Sequence, residues 1–353
     1  MGSGLSFQEL ILRDFWNLAD FVYKKATQKP HDDLFLGEVC AGDIGVAEYA
    51  QHPKMLYHYT SRNAAVDILS KSDANSKCGL GFTDYRFLND DREFRLGVDV
   101  ARIWMRTYSK SIRGDLKEKI LTLLGYKSEN QKYAPYVLSF SQHGDSTVHW
   151  AAYSDKKDGG YALGFSYREV GKAVARYNAD MRERDVDESL RAVSIPIFMG
   201  PCIYCSVKEL RLWKKSKRLP EKVVNLIAAL LPNIEMVIYK NEVLYRDNLD
   251  RLAKWMAERL FIFASLVKSD EFMFENEWRL VLRKDHQSDG NVKIIAGKPR
   301  IVPSSLKLND CLKEIVVSPH GDSPRLKMLA SILANQNSRK VRVRTSDSSY
   351  NGR

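Results

Sequence analysis

Several absences narrow the field before any motif is read. No stretch approaches eighteen consecutive apolar residues, so a membrane-spanning helix is not expected. The first residues carry no basic segment followed by an apolar core, so a secretory signal is not expected either. Cysteine is sparse: Cys40, Cys78, Cys202, Cys205 and Cys311 form an odd, scattered set. That argues against a disulfide framework and for reduced thiols in the cytoplasm. Cys202 and Cys205 make one C-x-x-C, but no second pair stands nearby, so no metal site is expected. Neither G-x-G-x-x-G nor G-x-x-x-x-G-K-[ST] occurs, which removes a dinucleotide-binding Rossmann turn and a P-loop. Internal repeats and low-complexity tracts are missing too.

What is present is ordinary in bulk and uneven in charge. The 353 residues are 44% hydrophobic and 28% charged, and include 17 Tyr, 14 Phe and 6 Trp. That suits one large globular domain or two. The net charge is +11, concentrated in KELRLWKKSKR (208–218) and SRKVRVR (338–344). Such segments attract nucleic acid, an acidic protein or an anionic cofactor, or they are solvated helix ends and strand edges. Met1-Gly2-Ser3-Gly4-Leu5-Ser6 fits the loose myristoylation pattern, and a cloning remnant is the simpler explanation.

Periodicity predicts an N-terminal helical extension over 1–54, with apolar residues of 5–28 near helical spacing and Pro30 as a stop. From residue 55 the pattern predicts a single α+β domain with a mixed, largely antiparallel sheet and a helical insertion near 206–270. Strands are expected at MLYHYT (55–60), YVLSFSQ (136–142), GGYALGFS (159–166), AVSIPIFMGPCIYC (192–205) and FENEWRLVLRK (274–284). Further strands are expected over 292–297, 312–319 and 339–347, and helices over 91–124, 146–154, 221–267 and 324–336. Ser61 and Ser146 are expected helix caps, and Asn89-Asp90 an expected turn.

Four segments carry residues suited to chemistry. LYHYTS places His58 on a strand, as a satisfied core histidine or as an active-site residue. LSFSQ offers Ser139 and Ser141, which also suit simple turn chemistry. VHWAAYS puts Trp150 and Tyr153 on one side of a helix, a spacing equally typical of core. FENEWR sets Glu275 and Glu277 two apart, hence on one face of an expected strand. Two carboxylates on one face repel, a cost that a cleft justifies and a solvated pair balanced by Arg279 avoids.

Read in order, the motifs L-Y-x-Y-T-S, N-D-x-x-E (Asn89 to Glu93), F-S, W-x-x-Y, G-Y-x-L-x-F, E-N-E-W-R and I-V-V-S-P resemble a known bacterial family. It is catalogued as domain of unknown function 2971, and the likeness runs from about residue 55 onward. More loosely, the arrangement resembles an ADP-ribosyltransferase core with a His-Tyr-Glu set. That resemblance implies cleavage of NAD at the nicotinamide–ribose bond and transfer of ADP-ribose to a protein or nucleic-acid acceptor, in a bacterial toxin, effector or defence protein. It implies that Glu277 holds the ribose 2′-hydroxyl and steadies the oxocarbenium-like cation. By the same resemblance His58 bonds the adenosine ribose or the carboxamide and Tyr153 stacks on the nicotinamide. Ser139, Ser141, Tyr59 and Thr60 support NAD, Trp150 walls the pocket, and Glu275 and Arg279 orient the acceptor. His58 and Tyr59 are open to exchange. So is the class: water as acceptor gives an NAD glycohydrolase, the basic segments alone give a nucleic-acid-binding module, and Asp90, Glu93 and Glu277 together suit a metal-dependent nuclease.

Overall fold

The computed structural model describes residues 53–70, 79–88, 91–107, 112, 114–125, 135–183, 196–220, 223–224, 227, 249–283, 292–295, 297–336 and 340–348. The expected helical extension over 1–54 and the Asn89-Asp90 turn lie outside them, apart from residues 53 and 54. The fold is α+β. Its strands are β1 (Met55–Ser61), β2 (Phe82–Asp84), β3 (Tyr136–Ser141), β4 (Gly160–Ser166), β5 (Ile197–Pro201), β6 (Ile203–Cys205), β7 (Val267–Ser269), β8 (Glu277–Leu282), β9 (Lys293–Ile295), β10 (Lys298–Ile301), β11 (Leu312–Val317) and β12 (Arg342–Thr345). Its helices are α1 (Arg62–Leu69), α2 (Asp91–Thr107), α3 (Gly114–Leu123), α4 (Thr147–Tyr153), α5 (Tyr167–Glu183), α6 (Val207–Ser216), α7 (Leu249–Ala264) and α8 (Ser323–Gln336).

Ten strands form one sheet, in which β12 and β11 run parallel and every other described pairing is antiparallel. β6 and β7 form a separate parallel pair. The sheet forks at β3. Along one side β3 pairs with β8 over its full length, Tyr136 opposite Leu282 through Ser141 opposite Glu277. Along its other side two strands share it: β1 meets it at Ser141, and β2 meets it at Tyr136 and Val137. Between those two meetings the Ser139 carbonyl accepts a hydrogen bond from His58 Nδ1 at 3.0 Å. A histidine thus fills the gap where the ladder divides, satisfying a carbonyl that no strand reaches.

Period-two alternation assigns the faces. Leu56, Leu138, Phe140, Leu163, Phe165, Trp278, Leu280 and Leu282 point to a core covered by α1, α5 and α8. On the opposite face the cover is discontinuous. At one end α2, α3 and α7 bury Val281 and Phe198. At the other, Tyr59, Trp150, Ala162 and Val316 make a small separate core under α4. Charged side chains of β7 and β8 lie on this discontinuous side.

Local chemistry explains several boundaries. Ser61 caps α1 by accepting from the Ala64 amide, as its position predicts. Ser146 also stands at a helix start, but its side chain makes no capping bond. Its amide instead donates to the Tyr59 hydroxyl at 3.0 Å. The expected strand over 192–205 is two strands, β5 and β6, parted at Cys202. The described part of the expected helix over 221–267 is chiefly α7. The strand expected over 274–284 is shorter: Glu275 closes a 3-10 turn over Asp270–Glu275, and Asn276 adopts a left-handed conformation (φ 41°) before β8 begins. β7 and β10 have no counterpart among the expected strands, and Val267, which opens β7, falls at the end of the helix expected over 221–267.

Candidate functional site

Five ionisable side chains meet on the discontinuous face. Glu277 opens β8, Arg279 follows it on the same face, Lys268 comes from β7, Glu275 from the 3-10 turn and Glu93 from α2. Lys268 Nζ lies 2.6 Å from both Glu275 Oε2 and Glu277 Oε2. Arg279 donates from Nε to Glu277 Oε1 at 2.7 Å and from Nη2 to Glu93 Oε2 at 2.7 Å. Its Nη1 reaches the Ser265 carbonyl at 2.6 Å. All five side chains are buried, the most exposed being Glu275 at 10%. Burial at this depth is tolerable only because each charge is paired and hydrogen-bonded.

The balance is uneven. Three carboxylates face two cations, so one unit of negative charge is left over when all are ionised. Glu277 is the best served: Arg279 and Lys268 hold its carboxyl well down, to about 2, against the opposing effect of burial. Burial moves Glu275 the other way and raises it above the ordinary 4.5, although Lys268 pulls it back. Glu275 is therefore less well compensated than Glu277. Its second oxygen, Oε1, accepts only a long bond from the Tyr153 hydroxyl at 3.3 Å.

An aromatic layer covers Glu275. His149 stacks on Tyr59 at 4.7 Å and lies 6.0 Å from Tyr153. Tyr59 also meets Trp150 edge-on at 4.8 Å. The positions follow from helix geometry: His149 and Tyr153 are four apart and share the side of α4 facing the 3-10 turn, while Trp150 turns inward and is fully buried. Trp150 Nε1 donates to Asp145 Oδ1 at 2.7 Å. Asp145 also accepts from the Ser346 hydroxyl and from the Asp347 amide at 2.7 Å, which clasps the segment after β12 to the loop before α4. His149 is 3% exposed. Burial holds its imidazole down to about 4, so it is neutral near pH 7. Its Nδ1 is buried without a hydrogen-bond partner among the described residues.

The structure gathers most of the residues singled out by sequence and separates two of them. Tyr59, Ser141, Trp150, Tyr153, Glu275, Glu277 and Arg279 lie on one face, and Ser139 takes its place there opposite Arg279. The Ser141 hydroxyl donates to the Glu275 carbonyl at 2.8 Å, which fixes the turn ahead of β8. His58 and Thr60 face the other way. Tyr57 pairs with Ser141 and so shares the face of Glu277; His58, one residue on, points to the opposite face toward Phe140. Burial, with the nearby Arg300 charge adding to it, lowers His58, while its bond to the Ser139 carbonyl opposes the shift. His58 is therefore a fork residue, and Tyr59 with His149 occupies the place beside the carboxylates that the sequence reading gave to it.

Of the carboxylates considered for a metal, Asp90 lies outside the described residues, and Glu93 and Glu277 already face Lys268 and Arg279. Among the described residues, no group of three or more His, Cys, Asp or Glu side chains is arranged to hold a metal ion. Cys202, Cys205 and Cys311 are buried and not in disulfides. Lys268 and His149 escaped the sequence reading. A lysine closing the apolar run FIFASLVK was the available signal for the first; the second stood unremarked beside Trp150.

The fold and cluster define an α+β protein with a mostly antiparallel sheet and a buried, net-acidic charge cluster against one face. Residues 149–280 match the model of the family described as Protein of unknown function (DUF2971), and that span is similar to it. The span begins at His149 and includes Tyr153, Lys268, Glu275, Glu277 and Arg279. No curated protein and no solved structure matches the chain. None of the described helices is long and apolar enough to cross a membrane.

Proposed function

We propose that the protein cleaves NAD at the nicotinamide–ribose bond in the manner of an ADP-ribosyltransferase, on the sheet face where Tyr59, His149, Tyr153 and Glu275 gather. The observation that carries this reading is the less well compensated buried carboxylate beside an aromatic layer. NAD brings a cationic pyridinium ring to such a place. As the C–N bond breaks, its electron pair passes to the ring nitrogen, and positive charge moves onto the ribose. A fixed negative charge in a poorly solvated site favours that redistribution. The aromatic side chains suit a flat cationic ring.

In this reading the roles shift from those the resemblance alone implies. Glu277 has both oxygens engaged by Arg279 and Lys268, so it anchors the cluster. Glu275 keeps an oxygen held only by Tyr153, and it is the carboxylate that meets the ribose. Ser141 holds the Glu275 backbone in place. The acceptor then attacks the ribose carbon and loses its proton; a protein or nucleic-acid acceptor gives transfer, and water gives hydrolysis.

The test is nicotinamide release from NAD by the purified full chain, with cell extract supplying acceptors. Wild type is expected to release nicotinamide, and Glu275→Gln to be slower by about 10²-fold or more, with an unchanged circular dichroism spectrum. Label from NAD should appear in a protein or nucleic-acid fraction if transfer dominates. The proposal is wrong if wild type neither binds NAD nor releases nicotinamide, or if folded Glu275→Gln releases it at the wild-type rate.

A further inference from the structure

We infer that the outer face of α6 is a nucleic-acid-binding surface that grips the phosphate backbone. α6 is a short helix with fixed ends. Ser206 and Glu209 form a reciprocal capping box at its start, and Lys217 takes a left-handed conformation at its end. Leu210 is buried, and Trp213 packs against the core shared with α2 and α7. The opposite face is thereby directed outward.

That face is cationic and unpaired. Lys208, Arg211 and Lys215 stand three and four residues apart, so they form one stripe with neighbours about 5–6 Å apart. All three are exposed, as are Lys217 and Arg218 just beyond. None of the five forms an ion pair among the described residues, whereas neighbouring Lys214 pairs with Asp99 at 2.8 Å. Lys208 also sits in the first turn, where the helix dipole disfavours a cation. A sequence chosen for helix stability alone would place an acid there.

The shape of the stripe favours nucleic acid over the other polyanions. A membrane-lying helix needs one continuous apolar side under its cations. The exposed apolar residues of α6, Val207 and Leu212, are five positions apart and so about 140° apart around the helix. A protein interface needs a buried aromatic or aliphatic centre, and Leu212 alone does not supply one. A row of unpaired charges with no apolar centre matches the one partner whose affinity comes chiefly from regularly spaced charge.

The test is fluorescence anisotropy of labelled single- and double-stranded oligonucleotides with the full chain across a salt series. No NAD is present, so the outcome is separate from the reading of Glu275. Wild type is expected to bind at low salt. The triple variant Lys208→Ala, Arg211→Ala, Lys215→Ala should bind at least about tenfold more weakly, and the slope of log K against log salt should shrink by roughly 2–3. A charge-matched control at exposed Lys156, Lys157 and Lys327, all changed to Ala, should stay within about twofold of wild type. Thermal melting checks that both triples fold. The inference fails if wild type does not bind, if the two triples weaken binding alike, or if anionic vesicles or polyglutamate bind as tightly as the oligonucleotide with the same dependence on the stripe.

Discussion

At the scale of single residues, the titrations of His149 and Glu277 set the acid response. His149 is held at about 4 in the folded protein against an ordinary 6.5. Folding favours its neutral form, so the stabilisation is complete above about pH 6.5 and is lost as pH falls through 4. Glu277, held at about 2 against 4.5, extends the loss through the window from 4.5 down to 2. Glu275 opposes this: its raised value favours the protonated acid, so its contribution is present below 4.5 and fades as pH rises. Unfolding free energies from denaturant titrations are therefore expected to fall between pH 6.5 and 4 by up to about 3 kcal/mol. His149→Phe should flatten that window and leave the lower one. A wild-type midpoint that is level from pH 6.5 to 4 would contradict the burial of a neutral imidazole. The sequence showed the acidic pair in FENEWR but not its geometry. Period two puts Glu275 and Glu277 on one strand face, whereas the chain brings their carboxylates together through a left-handed Asn276. Asn is among the residues that tolerate that conformation, but nothing local demanded it.

The elements repeat this division between local and distant causes. Most strands and helices were legible because their apolar spacing is local. Their contacts were not. Gly97 in the middle of α2 reads as a weak point in a helix, yet it is where α2 crosses α7: a Cβ added there would lie 2.2 Å from the Ala264 carbonyl oxygen. Gly97→Ala should force the helices apart and destabilise the protein by about 1–3 kcal/mol. Gly114, which opens α3, has open space around an added Cβ, so Gly114→Ala should be neutral or stabilising by up to about 1 kcal/mol. Thermal melts of the two variants side by side decide this. A stabilised Gly97→Ala would refute the close crossing.

For the whole molecule, the fork at β3 determines what the sequence could not. A hydrogen bond across 81 residues, as from the His58 side chain to the Ser139 carbonyl, leaves no local trace. The α+β class was legible from the irregular alternation of strands and helices, but the division of β3 between β1 and β2 was not. That division decides the role of His58, since a one-residue step along β1 changes the face a side chain meets. His58→Phe should leave the Ser139 carbonyl without its partner and cost about 1–3 kcal/mol of stability. Nicotinamide release per folded molecule should be unchanged. A variant of native stability that loses release would return His58 to the reacting site.

The clasp at Asp145 also orders events in time. Ser346 lies 201 residues after Asp145. At about 5–20 residues per second of synthesis, the loop before α4 leaves the ribosome roughly 10–40 s before its fastener is made. During that interval Trp150 and Asp145 stand without the Ser346 and Asp347 bonds that hold this side of the sheet. The nascent chain thus carries every side chain of the carboxylate cluster before it carries the bonds that brace the aromatic layer above it.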